Sequence, residues 1–322
     1  MPPCMLIAGP NLTIDRTAAI AELRPGEVLR VERVAVTPGG KGLNVARAAR
    51  ALGAQALLVG FVPGETGRAG AAMIDREGVA LRGVPCGGEL RSTAVVIEHG
   101  GRTTVLNEPG PRVARAEWGA LEGAVGAAMR EHGVLVCSGS LPPGSPDDGY
   151  GRLTALAAAA GRPCVVDAAG AILAAALAAG PDVVCPNLAE AEELLGAAHG
   201  AQPVQSASDA RPRAQAAAAR LVTGGARAAV VTADAAGAAL AAADAPPVWL
   251  RAPQVGAVRN PVGAGDVLAS ALAAALERGE SLHEAARHGV AAAAASVETP
   301  VAGELDAARA AELLAAVVAE RA

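Results

Sequence analysis

One lysine, one phenylalanine, one tyrosine and two tryptophans are all that 322 residues hold of those types. Aromatics make up 1% of the chain, so the core must be built from Ala, Val and Leu. A row of aromatic platforms for stacked bases is absent, which argues against a single-stranded nucleic-acid binder. No long basic tract is present and the net charge is −5, so neither duplex DNA nor an anionic membrane surface is a natural partner. Cysteine is sparse and odd in number: Cys4, Cys86, Cys137, Cys164 and Cys185. With no CxxC pair, neither a disulfide framework nor a zinc site is indicated. Reduced thiols, mostly in apolar runs, are expected in a cytoplasmic protein. The N-terminal "MPPCMLIAGPNLTIDR" has no basic stretch ahead of its apolar run and does not read as a signal peptide. Runs such as "AILAAALAAG" are too short and too weakly apolar to span a membrane. No GxxxxGK[ST] occurs, which excludes a P-loop. "GAGDVL" lacks the third glycine of a dinucleotide fingerprint and lies late in the chain.

What remains is informative because so much is missing. A hydrophobic content of 52% excludes general disorder. The runs "CMLIAG", "ALLVGFV", "GVLVCSG", "PCVVDAA", "PDVVCPN" and "AAVVTA" read as buried strands of a mainly parallel sheet. Helical patterns fall between them at 43–53, 67–77, 116–132, 148–160, 170–179, 188–196 and 213–224. Others follow at 264–277, 282–297 and 306–320. This alternation predicts a doubly wound α/β fold. Two stretches break the rhythm: 26–37 alternates like a half-exposed strand, and 91–107 reads as a hairpin around His99-Gly100-Gly101. They predict a small second sheet able to cover a ligand crevice. Residues 200–212 read as a surface loop.

Four stretches carry chemistry. "NPVGAGDVLASALAAAL" puts Gly263, Ala264 and Gly265 at a helix start, with Asp266 in its first turn. Free N–H groups and the helix dipole suit a phosphate there. A neighbouring carboxylate can take a proton from an attacking hydroxyl, as phosphoryl transfer requires. A carboxylate at that position is also what a plain helix cap uses. In "PNLAEAEELLG", Asn187 and Glu190 could hold Mg²⁺ through waters, or form a helix cap. "TPGGKGLNVA" sets Lys41, the sole lysine, on a glycine turn where it could neutralise a phosphate, with Asn44 able to bond hydroxyls. "PNLTIDR" places Asp15 at the carboxyl end of the first strand, where open α/β sheets bind ligands.

In order and spacing, "GGKGLNVARAARALG", "SGSLPPG" at 138–144, "PNLAEAEEL" at 186–194 and "NPVGAGD" at 260–266 resemble the PfkB/ribokinase family of carbohydrate kinases. The resemblance covers nearly the whole chain. It implies one ribokinase-like kinase domain over 1–322, with lid strands from about 10–37 and 88–108. "PNLTID", "LRSTAVVIE" and "LNEPGP" draw it toward the 1-phosphofructokinase and tagatose-6-phosphate kinase branch. The implied reaction moves the ATP γ-phosphate, with Mg²⁺, to a hydroxyl of a phosphorylated ketohexose, foremost fructose 1-phosphate. Asp266 then matches the family's base, and Gly263, Ala264 and Gly265 its anion hole. Asp15, Gly39, Gly40, Lys41, Asn44, Arg91 and Ser140 match sugar-side positions, Arg91 near the substrate phosphate. Asn187 and Glu190 match the NxxE motif for Mg²⁺ and phosphate, and Thr232 and Gly237 a nucleotide-contacting turn. A homodimer through the lid is implied. Asn260-Pro261, Thr93 and Asp234 depart from the family pattern, which keeps other acceptors open: tagatose 6-phosphate, fructose 6-phosphate, an unphosphorylated sugar or a nucleoside. A non-catalytic sugar-phosphate sensor is the remaining alternative.

Overall fold

A computed structural model describes residues 4–196, 207–243 and 245–321. The apolar runs become strands because both faces of the main sheet are covered, which favours continuous Val, Leu and Ile. In chain order the strands are β1 (Cys4–Ala8), β2 (Thr13–Ile20), β3 (Arg33–Gly39), β4 (Gln55–Phe61), β5 (Ala80–Val84), β6 (Arg91–Glu98) and β7 (Thr103–Asn107). They continue with β8 (Val134–Ser138), β9 (Cys164–Asp167), β10 (Val183–Val184), β11 (Ala228–Thr232), β12 (Gly237–Ala242), β13 (Ala245–Arg251) and β14 (Val318–Arg321). The helices are α1 (Lys41–Ala51), α2 (Gly64–Arg76), α3 (Arg115–Ala128), α4 (Gly149–Ala159) and α5 (Gly170–Leu177). After them come α6 (Leu188–Leu194), α7 (Ala207–Thr223), α8 (Ala264–Glu277), α9 (Leu282–Ser296) and α10 (Ala307–Leu314).

The large sheet runs β14-β13-β12-β11-β10-β9-β8-β1-β4-β5. Pairings from β5 to β11 are parallel, and β12, β13 and β14 close that edge in antiparallel fashion. Side chains of one strand serve two cores. Met5 and Ile7 pack with α1, α2, α8, α9 and α10, whereas Leu6 and Ala8 pack with α3 to α7. Helices therefore cover both faces, as a doubly wound fold requires. The chain builds outward from β1 through β4 to β5, then returns to β8 on the other side of β1. That reversal opens a crevice at the carboxyl ends of β1 and β8.

The second sheet has the order β3-β2-β6-β7. Its register sorts the side chains, because residues directly paired across strands share a face. Thr13, Asp15, Arg91, Thr93 and Asn107 lie on one face. Ala18, Val34, Val36, Ala94, Val96 and Leu106 lie on the other.

Several sequence expectations need correction. The strand expected over 26–37 begins only at Arg33, since Gly26 takes a left-handed φ of 86° in a preceding turn. Asp15 is not at the end of β1; it is the third residue of β2. The helix expected over 306–320 stops at Leu314, and 318–321 pair with β13 instead. Edge pairing there overrides the helix propensity of an Ala-rich segment. Helix α7 starts at Ala207, inside the expected loop, and carries Pro212 within it; the rest of that loop, 200–206, lies outside the described residues.

Candidate active site

The carboxyl ends of the parallel strands converge on one cleft of ≈ 630 Å³. Its walls include Lys41, Asp167, Asn187, Glu190, Thr232 and Asp266. Helix α1 starts at Lys41 itself, not two residues later, because Gly40 takes φ 110° as its N-cap. The lysine therefore sits in the first helical position. Its ammonium lies 3.4 Å from Asp167 Oδ2 and 4.0 Å from Glu190 Oε1. Asp167 above all, with Asp266 and Glu190, pushes its proton affinity above the usual lysine range, so it stays charged.

Asp266 is the third residue of α8 and is 4% exposed. Gly263 caps the helix with a left-handed φ of 86°. A Cβ at Gly263 would sit 3.0 Å from Gly303 N, whereas a Cβ at Gly265 would meet nothing within 4 Å. Packing explains the first glycine and not the second. Gly265 and Ala264 line the cleft, where the first-turn N–H groups of α8 have no helical partner. Burial, then the nearby Asp167, raises the Asp266 carboxyl well above its ordinary range; Lys41 and a bond from Asn44 oppose this. Asn44 Nδ2 donates to Asp266 Oδ2 at 2.8 Å.

Asn187 and Glu190 realise the capping alternative. Glu190 N donates to Asn187 Oδ1 at 2.8 Å, and Asn187 N donates to Glu190 Oε2 at 2.9 Å. Glu190 Oε1 is left facing Lys41. Asn187 also bridges to Thr232, which brings NxxE beside the β11 end. Gly237 has φ 135°, and a Cβ there would collide with Leu250 O at 2.1 Å. Asp234, which stands where the family has glycine, takes φ 47°. Asp is among the residues that tolerate this region, so the turn survives the substitution. Asn260 Oδ1 accepts from Val262 N at 3.0 Å and so shapes the approach to Gly263 despite Pro261.

Among the described residues, no group of three or more His, Cys, Asp or Glu side chains is placed to ligate a metal directly. Three carboxylates nevertheless act on the single Lys41 ammonium. That excess of negative charge fits a hydrated Mg²⁺, which keeps its waters and binds through few carboxylates plus substrate phosphates.

The expected sugar-side residues divide between two places: Asp15, Gly39 and Arg91 belong to the small sheet, whereas Gly40, Lys41 and Asn44 belong to the start of α1 and Ser140 follows β8. Asp15 presses on Gly39, where a Cβ would lie 2.1 Å from Asp15 Oδ2. Burial raises the Asp15 carboxyl, held back by the Thr93 hydroxyl and Arg91. Asn11 Nδ2 donates to Ser140 Oγ at 2.9 Å. Arg91 donates to Asn11 O and Glu108 O at 3.2–3.3 Å. Asn11 Oδ1 and Asp15 Oδ1 are buried without hydrogen-bond partners, so each could accept from a ligand hydroxyl. Lys41 lines the cleft and Arg91 does not, so the two cations do not converge on one pocket.

Three residues here were not singled out from sequence. Asp167 ends β9 and is 2% exposed; an acid closing a buried strand at the crevice was the available signal. Asn11 was visible only as one of five asparagines. Arg47, 4% exposed, holds Asn44 Oδ1 at 3.1 Å and had no signal of its own.

Residues 11–308 match the family model described as pfkB family carbohydrate kinase. Phosphofructokinase-2 from Escherichia coli, solved in complex with fructose-6-phosphate, is 27% identical, with 98% of this chain and 99% of that chain covered and a TM-score of 0.84. A "Possible 1-phosphofructokinase" from Thermotoga maritima shares the fold at 22% identity, 99% of each chain and a TM-score of 0.83. Ribokinase from Arabidopsis thaliana, complexed with ribose and ATP, does so at 21% identity, 98% of this chain and 99% of that chain, with a TM-score of 0.76. The chain belongs to the pfkB family of carbohydrate kinases.

Proposed function

We propose that the chain, read as one kinase domain over 1–322, transfers the ATP γ-phosphate to a hydroxyl of a phosphorylated ketohexose, giving fructose 1,6-bisphosphate. One observation carries this reading. Asp266 is shared between two sites: it lines the cleft and is bonded to Asn44, which Arg47 ties to Pro38 on β3 of the small sheet.

In this reading Asp15 and Asn11 accept sugar hydroxyls and Arg91 meets the sugar's phosphate. Asp266 takes the proton of the attacking hydroxyl as its oxygen bonds to the γ-phosphorus and the bond to the ADP oxygen breaks. Backbone N–H groups of 263–265 and the Lys41 ammonium face the charge on the transferred group. Thr232 and Gly237 lie along the nucleotide. Glu190 and Asn187 would hold a hydrated Mg²⁺, which supplies charge neutralisation of the phosphates. Five free cysteines suit a reducing, cytoplasmic setting.

Fructose 1-phosphate is the acceptor favoured by sequence. Fructose 6-phosphate is the second reading, favoured by the full-length likeness to phosphofructokinase-2. A coupled ADP-release assay with Mg-ATP separates them, run with both fructose phosphates, tagatose 6-phosphate, fructose and ribose. Turnover is expected with a fructose phosphate. Saturation by unphosphorylated fructose or ribose alone, or no sugar-dependent ADP, would sink the reading.

We also propose that the outer face of the small sheet pairs with a second copy. Val34, Val36 and Leu106 are 41%, 44% and 62% exposed there, and they continue into Ala18, Ala94 and Val96. An open, mainly apolar sheet face of this kind, with the exposed Arg16 between Val36 and Ala94, marks an interaction site. Sedimentation equilibrium is expected to give twice the 31.5 kDa chain mass. Val36→Asp is expected to halve it, and a monomeric parent would overturn the proposal.

A further inference from the structure

Arg47 is buried where four segments meet, and each of its five N–H groups is used. Nε and Nη2 donate to the two carboxylate oxygens of Glu77, at 2.7 and 2.8 Å, just past the end of α2. Nη2 also donates to Pro38 O at 2.8 Å, on β3. Nη1 donates to Asn44 Oδ1 at 3.1 Å and to Ala302 O at 3.4 Å, in the loop after α9. A guanidinium has no sixth donor, so this fork is saturated.

We propose that Arg47 is a positioning residue: it fixes the Asn44 amide so that Nδ2 donates to Asp266, and it ties that donation to the small sheet through Pro38. An asparagine amide has an acceptor end and a donor end. With Oδ1 held by a cation, only Nδ2 is left for the Asp266 carboxylate. Without Arg47 the amide is held at its donor end alone and its acceptor end has no partner; turned, Oδ1 would face a carboxylate oxygen, acceptor against acceptor. The grip on β3 is placed to matter. Pro38 pairs with Ile14, and the adjacent Thr37 pairs with Asp15. A continuous chain of contacts therefore runs from the Asp15 side of the sheet, through Pro38, Arg47 and Asn44, to Asp266. The other charged groups facing Asp266 are Asp167 and Lys41, and Arg47 contacts neither. Lysine could not replace the fork, since its three donors leave from one point.

The inference rests on Asp266 being the base, and a double-mutant cycle separates the two ideas. Arg47→Met, Asp266→Asn and the double variant would be assayed as full chains with Mg-ATP and the active fructose phosphate. Acting through Asn44 on the carboxylate, Arg47→Met is expected to lower kcat about tenfold or more, with KM for ATP within about twofold. In the Asp266→Asn background the same change is expected to cost less than about threefold. Arg47→Lys is expected to behave as Arg47→Met does. An equal cost in both backgrounds, or wild-type kcat in Arg47→Met, would overturn the proposal in favour of a purely structural ion pair. Should Arg47→Met not fold, Glu77→Gln, which loosens the anchor without changing its volume, takes its place in the cycle under the same criteria. Wild-type turnover in Asp266→Asn alone would instead remove the base assignment.

Discussion

Asp266→Asn is expected to lower kcat roughly 10²–10⁴-fold, the scale of losing a general base, and at the same time to make the protein more stable. The two effects share one cause. The carboxyl is buried and lies beside Asp167, so its folded-state pKa stands well above the ordinary 3.8. A group whose folded pKa is raised favours the fold while protonated, and that contribution is lost as pH rises through the folded value. Once ionised, as a base must be, Asp266 therefore opposes folding, as active-site groups often do. Asparagine keeps the size, can accept the Asn44 bond and carries no charge to bury. Lys41 keeps Asp167 as its foremost partner. A gain of about 1 kcal/mol, or about 2 °C in melting temperature, is expected near pH 7.5. It should shrink as pH falls toward 4 and vanish below the ordinary 3.8, where the parent carboxyl is protonated in both states. Measuring kcat and melting curves at both pH values checks the pair. Undiminished turnover removes Asp266 as the base, and a variant that melts earlier at pH 7.5 removes the burial argument.

How far the sequence could be read depended on the range of the physics. The helix start at 263–266 was legible because glycines beside an acid are a local signal. Asn187 and Glu190 were legible as a pair, and their reciprocal capping bonds keep them three residues apart whatever else they bind. Arg47 was not legible. On a helix of small residues an arginine reads as solvent-facing, and its burial depends on Glu77, thirty residues on, and on Ala302 far beyond. Asp167 was missed for a related reason: its weight comes from Lys41 and Asp266, both distant in sequence. The last strand was misread because "AAVVAER" suits a helix until β13 offers it an edge. The rarity of lysine did point to Lys41. It did not foretell that the ammonium would be held by Asp167 and Glu190 on the cleft side.

Gly265→Ala is the second change with a large expected effect, and it separates function from fold. Nothing lies within 4 Å of a Cβ built there, and its φ is not in the left-handed range. Gly265 is the second residue of α8, where alanine is the better helix former. On stability alone the substitution should be neutral or gain roughly 0.5–1 kcal/mol. Yet the position lines the cleft, at a helix start suited to a phosphoryl group. A methyl group there would hold the transferred group off the N–H donors. The expected loss is about 10²–10³-fold in kcat/KM for ATP, the scale of removing one such donor. Gly263→Ala makes the opposing comparison. Its φ of 86° and its approach to Gly303 N require a glycine, so alanine there should cost roughly 1–2 kcal/mol of stability. Melting curves and initial rates on the two variants give the test. If Gly265→Ala turns over like the parent, no ligand approaches this backbone closely, and the anion cradle must lie elsewhere. If it is inactive only because it fails to fold, the open space around Gly265 has been misjudged. A folded, stable and slow Gly265→Ala beside an unstable Gly263→Ala would divide the two glycines between ligand and chain.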